Sequence, residues 1–170
     1  MSSIVYKAAP EETDFKIDNL EHSAKFIGQN VKELTVDVQS FGTVLIVDAD
    51  SLETIHVKNP GLVLTFYKFP EKPVHIKGQI EEIRIHEGKR QFSLHRYASI
   101  PTLPLDEIND VAIVRNSSDI IDDVDALIIF PDNEPDLEIH GSFYNILVVG
   151  SDNQKLEELR HKRDQARLGG

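Results

Sequence analysis

Between residues 31 and 150 the chain is a succession of strand-length runs in which apolar and polar residues alternate: KELTVDV, TVLIVD, TIHV, LVLTFYKF, VHIKG, EIRIH, QFSLH, VAIV, ALIIF, LEIHG and NILVV. Alternation with a period of two is what a half-buried strand needs, because successive side chains leave opposite faces of a pleated backbone. Pro60-Gly61, Pro70, Pro73, Pro101, Pro104, Pro131 and Pro135 punctuate the runs, as breakers between short strands do. Eighteen isoleucines and fourteen valines stand against eight alanines, a balance that favours strands over helices. No amphipathic helix pattern interrupts 31–150. The expected fold class is mainly β.

A second regularity lies over the first. Two apolar residues three apart, followed by a third two further on, recur as Val31/Leu34/Val36, Leu52/Ile55/Val57, Ile80/Ile83/Ile85, Ile108/Val111/Ile113, Val124/Leu127/Ile129 and Phe143/Ile146/Val148. Three positions after each triplet stand Gln39, Pro60, Gly88, Asn116, Asp132 and Ser151, all but the glutamine turn formers. The triplets start 21, 28, 28, 16 and 19 residues apart, and between most of them lies one further short strand, such as TVLIVD, LVLTFYKF, QFSLH or LEIHG. Ile108–Asn116 (INDVAIVRN) resembles the strand segment of leucine-rich repeats, in which an asparagine follows the strand into the turn. That resemblance implies parallel strands, one per repeat, stacked into a solenoid.

The expected architecture is a short, irregular β-solenoid of about 120 residues, with parallel strands of leucine-rich-repeat type and a C-terminal helix. The alternative is an antiparallel β-sandwich or barrel, which also uses many short strands spaced by turns. A solenoid coil cannot bury its face alone, so both ends need caps. Residues 1–30, with their short apolar pairs Ile4/Tyr6, Phe15/Ile17 and Phe26/Ile27 and room for a helical turn after Ser23, are the expected N-terminal capping segment. Residues 31–150 are the β-repeat domain. Residues 151–170 form the C-terminal helix and tail: Ser151 or Asp152 caps it, Leu156 and Leu159 give it a thin apolar stripe, and Gly169-Gly170 ends it.

If the triplets stack in register, the residues between and after the second and third apolar positions point outward. They read Thr35, His56, Arg84, Ala112, Ile128 and Leu147, then Asp37, Lys58, His86, Val114, Phe130 and Val149. Both columns begin polar and end apolar. Val114, Ile128, Phe130, Leu147 and Val149 would then form an exposed apolar patch, which on a soluble protein needs a cover. That cover is the C-terminal helix, a loop, a partner protein or a second copy in a two-fold homodimer.

Charge converges on the same part of the chain. The net charge is −11, and residues 101–140 hold one basic and eleven acidic residues, hence −10, whereas residues 1–100 hold twelve basic and fourteen acidic, hence −2. A concentrated negative field repels nucleic acid and anionic membrane and attracts cationic surfaces. The expectations are no direct nucleic-acid partner, no membrane partner, and a basic protein partner met by Asp119, Asp122, Asp123 and Asp125. The same carboxylates also suit turns and solubility, and the spacing of an EF-hand loop is missing.

The functional expectation is a non-catalytic protein–protein interaction module with an acidic, partly apolar binding surface in its C-terminal half. Two other readings stand beside it. One is an acidic mimic of nucleic acid that occupies a DNA- or RNA-binding protein. The other is a carbohydrate-active enzyme on a β-solenoid, which would need converging carboxylates and could use Phe66, Tyr67 and Phe69 to stack on sugar. No phosphate-binding, nucleophile-elbow or zinc motif appears, and cysteine is absent. No cofactor and no metal is therefore expected. Of the seven histidines, His56 and His86 near Glu82 and Arg84 are the one arrangement that suggests an acid–base pair. The longest apolar runs fall short of a membrane span, and the N-terminus lacks a basic-then-apolar signal, so a cytoplasmic location is expected.

Overall fold

Strands form where the alternation is, and they stack where it repeats about every twenty residues. The computed structural model describes residues 4–68, 70–87, 90–95, 110–114, 126–129, 138–142 and 146–148. These form two seven-stranded sheets. The first wall runs in the order β1 (Ile4–Lys7), β3 (Ser23–Ile27), β5 (Gly42–Asp48), β7 (Leu62–Phe66), β9 (Glu82–Glu87), β10 (Arg90–His95) and β13 (Glu138–Ser142). The second runs β2 (Asp14–Leu20), β4 (Glu33–Val38), β6 (Thr54–Lys58), β8 (Val74–Lys77), β11 (Asp110–Val114), β12 (Ala126–Ile129) and β14 (Ile146–Val148).

From β1 to β9 successive strands alternate between the walls, and every lateral pair among them is parallel. This is a β-solenoid of about four turns. In the second wall the paired positions Phe15, Leu34, Ile55 and Ile76 are 19, 21 and 21 residues apart. In the first wall Ala24, Val44, Leu64 and Ile83 are 20, 20 and 19 apart. Each coil thus spends one strand on each wall, joined by two corners. The parallel pairing rules out the antiparallel sandwich for these coils. It also differs from the leucine-rich-repeat plan, in which each repeat lends one strand to a single sheet and closes with a helix or 3₁₀ turn. The proposed helical turn after Ser23 is instead the strand β3, and strands from within 1–30 take places in both walls.

The two inner faces make one core. Leu34, Ile55, Ile76 and Val111 come from one side and Leu64, Phe66, Ile83 and Ile85 from the other, all essentially inaccessible to solvent. Corners are held by hydrogen bonds from coil to coil: Gln39 N–H donates to the Leu20 carbonyl, Glu53 N–H to Lys32, and Tyr67 N–H to Ile46, at 2.9, 2.8 and 3.1 Å.

The triplets do not all share one wall. Those of Leu34, Ile55, Val111, Leu127 and Ile146 do, but Ile83 and Ile85 belong to the first wall, opposite. The coil between Ile55 and Val111 is supplied by β8, whose triplet positions read Pro73, Ile76 and Gly78 and so escape the pattern.

At β9 the direction of travel reverses. β10 is antiparallel to β9, and β11 is antiparallel to β8. Beyond them β13 runs parallel to β10, and β12 and β14 run parallel to β11. Strands continue to be added at the same end of the stack, and strand direction beyond β9 is inverted in both walls.

Candidate interaction surface

The strands drawn from the acidic stretch 101–140 are β11, β12 and β13, and they take late places in the two walls. Among the described strands β13 is the last of the first wall, and β14 lies beyond β12 in the second. Of the eleven acidic residues of 101–140, Asp110 in β11 and Glu138 in β13 lie in described strands, and the other nine fall outside the described residues. Asp119, Asp122, Asp123 and Asp125 fall between β11 and β12, outside the described residues, as do Phe130 and Val149. The predicted helix over 151–170 lies outside them too.

Three of the predicted apolar residues can be placed. Val114 is fully buried, as is Ala112. Their side chains leave β11 on the face opposite Val111 and Ile113, which join the core. This strand is therefore covered on both faces. Ile128 in β12 pairs with Ile113, not with Ala112, and Leu147 in β14 pairs with Ile128. Val114 is instead level with Ile129, which is level with Val148. The β11–β12 pairing is displaced by one residue from the triplet alignment, which β12 and β14 keep, and a one-residue shift exchanges the two faces of a strand.

The outer face of the first wall is also covered at β7. Val63 and Thr65 point away from the core yet are each 4% exposed. Beside them lies a polar cluster that ties β9 to β10. Arg84 donates from Nε to Glu82 Oε1 at 2.9 Å and from a terminal nitrogen to Oε2 at 3.0 Å, and Ser93 Oγ donates to Oε1 at 2.8 Å. The Glu82 side chain is 7% exposed and that of Arg84 48%. A fork-to-fork pair of this kind fixes geometry as well as charge. Its position across the reversal, and the full engagement of both Glu82 oxygens, suit a structural clasp.

The histidines do not gather. His56 lies in the second wall, where its Nε2 is 3.4 Å from Glu33 Oε1. His86 lies in the first wall, level with Gln91. The suggested acid–base pair is therefore split between opposite walls. His75 Nδ1 is 3.4 Å from Asp110 Oδ1, linking β8 to β11 across the reversal. Among the described residues no group of three or more histidine or carboxylate side chains is placed to hold a metal ion.

Large exposed apolar side chains among the described residues are Ile4, Val5, Phe41, Val47 and Tyr67. Two of them stand together on β1, the end strand of the first wall, which the sequence pattern alone did not single out. Of the described residues, no helix is long and apolar enough to cross a membrane. No protein-family model matches the chain, and no curated protein or solved structure matches it either.

Proposed function

We propose that the protein is a non-catalytic interaction module, a β-solenoid that presents its acidic end to a basic protein surface. The observation that carries this reading is the axial polarity: nearly the whole net charge belongs to the segment that forms β11, β12 and β13. Carboxylates gathered at one end of a rigid stack speed encounter with a cationic partner and orient it. In this reading Asp119, Asp122, Asp123 and Asp125 steer the partner. Val114, already buried, supports the strand beneath.

The test is capture from the native host with the immobilised protein. It is run beside a variant carrying Asn at 119, 122, 123 and 125. A basic protein retained by the native chain, lost by the variant and released as salt rises from about 0.05 to about 0.3 M is the expected result. Identical retention by both chains overturns the reading. Release of the captured protein by added DNA or RNA in place of salt favours nucleic-acid mimicry.

A further inference from the structure

The end of the solenoid remote from the acidic strands is made by β1 and β2. Among the described strands each pairs with one neighbour only, β1 with β3 and β2 with β4. The core at this end is closed by aromatic rings. Tyr6 and Phe15 lie edge to face with centroids 6.1 Å apart, and Phe15 is tilted on Phe26 at 5.3 Å. The strand edges outside that plug are open. Ile4 and Val5 are 58% and 56% exposed, on opposite faces of β1. Single exposed hydrophobics are ordinary, but two in succession on an open edge strand form a template for a further strand.

β2 narrows what that strand can belong to. Its outward residues at this end are Asp14, Lys16 and Asp18, an alternation of charge along the edge. Only the weak exposed pair Lys16–Asp18, at 3.3 Å, engages them. An added strand must oppose this series without matching sign to sign. The same strand turned by a two-fold axis does so for Asp14 and Lys16, while Asp18 falls level with Glu12 of the second copy, outside β2. With the axis at Phe15, Asp14 faces Lys16 of the second copy, Lys16 faces its Asp14, and the two Phe15 rings meet. On β1 an axis at Val5 sets Val5 against Val5 on the outer side and Ile4 against Tyr6 of the second copy on the inner side. The Tyr6–Phe15 ring contact places the two centres at nearly the same level, so one axis serves both walls.

Long-range charge agrees. Residues 4–32 hold four lysines and five acidic residues, hence −1. The far strand β13 is six strand spacings from β1, roughly 30 Å at ~4.8 Å each. Joining the near-neutral ends leaves the two acidic ends pointing apart, well beyond a Debye length of about 8 Å.

We propose that the protein is a two-fold, end-to-end dimer in which β1 and β2 pair antiparallel with the same strands of a second copy, continuing both walls across the axis. This does not rest on the basic-partner reading, which concerns the opposite end.

The experiment is sedimentation equilibrium over a range of concentrations. The native chain is expected at twice its 19.2 kDa mass. Lys16→Asp sets two aspartates opposite each other at two symmetric places, and Asp14→Lys does the same with lysines. Each variant alone is expected to dissociate at least about tenfold more readily, as is Val5→Lys. Mixing Lys16→Asp with Asp14→Lys restores opposite signs at both 14–16 pairs, so the mixture is expected to form a heterodimer that neither variant forms by itself. That rescue requires both to be folded. A native protein that stays at the mass of one chain overturns the proposal, and so does a dimer that none of these substitutions weakens. The Asn variant of the acidic end is expected to leave the mass unchanged, which separates this interface from the one above.

Discussion

Gly61 and Gly78 have left-handed backbone, with φ of +108° and +115°. A Cβ on Gly61 would lie 2.3 Å from the Ser40 carbonyl oxygen, and one on Gly78 would lie 2.1 Å from that of Val57. Both oxygens belong to the coil before, 21 residues earlier in each case, so a methyl group at either site wedges two coils apart. Gly61→Ala is therefore expected to cost about 2–3 kcal/mol, strain and collision together. Urea unfolding reads this as a lowered midpoint at constant slope, and a loss under about 0.5 kcal/mol would contradict the close approach. Asn59 is the control. It also has positive φ, +71°, but asparagine tolerates that region, and its side chain donates to Asp37 Oδ1 at 2.8 Å. Asn59→Gly should lose little more than that exposed bond. Pro60-Gly61 was legible in the sequence as a turn. The collision was not, because it depends on the height of one coil above another, and nothing local encodes that.

Among the elements, strands and inward faces were largely legible, and the closure of the coil was not. Leu34/Val36 and Ile55/Val57 are stacked as their shared pattern predicts. The short strands seen between triplets, TVLIVD, LVLTFYKF, QFSLH and LEIHG, are β5, β7, β10 and β13, all in the first wall. The alternation of two kinds of strand was thus the alternation of two walls as far as β7, and it fails at β9 and β10, a triplet strand and an intervening strand in the same wall. The first coil was hidden because its triplet positions read Glu12, Phe15 and Ile17, with a carboxylate where the others have an apolar residue. The reversal left a fainter sign: two residues, Gly88 and Lys89, between two alternating runs, the spacing of a tight hairpin. The Glu82–Arg84–Ser93 clasp across that hairpin could not be read at all, since it joins side chains through pairing. Its worth is testable. Ser93→Ala removes one hydrogen bond and is expected to cost about 1 kcal/mol. Glu82→Ala removes the acceptor of both Ser93 and the half-exposed Arg84 and is expected to cost about 2 kcal/mol. Chemical denaturation of both variants checks the order, and a Glu82→Ala loss no larger than that of Ser93→Ala would reduce the clasp to a surface pair. In the core itself, Phe66→Ala is expected to cost about 3–5 kcal/mol, since its ring is buried between the walls.

At the scale of the whole molecule, strand direction and charge divide the chain at nearly the same place. The parallel coils, through β9, come from the near-neutral segment, and beyond the reversal β11, β12 and most of β13 come from the acidic one. Each coil of a solenoid is stabilised chiefly by its neighbours. Self-repulsion among the acidic residues that precede, separate and enter β11, β12 and β13 is therefore expected to weigh on these strands and their neighbours, where β13 and β14 each have one described neighbour. Salt should relieve it. Raising ionic strength from about 0.05 to about 0.3 M shortens the Debye length from roughly 14 to roughly 6 Å and screens carboxylates held near one another. Stability should rise with salt, and a gain near 1 kcal/mol corresponds to a Tm higher by about 2–4 °C for a chain of this size. Replacing Asp119, Asp122, Asp123 and Asp125 by Asn should raise Tm at low salt and flatten its rise. Sodium chloride is the appropriate salt, because sulfate strengthens burial by exclusion whatever the charge. Protein concentration must be held fixed, since association itself moves Tm. A native Tm that is flat or falls with sodium chloride would mean that the eleven carboxylates of 101–140 are already neutralised within the fold, and the acidic end would then have no field left to offer a partner.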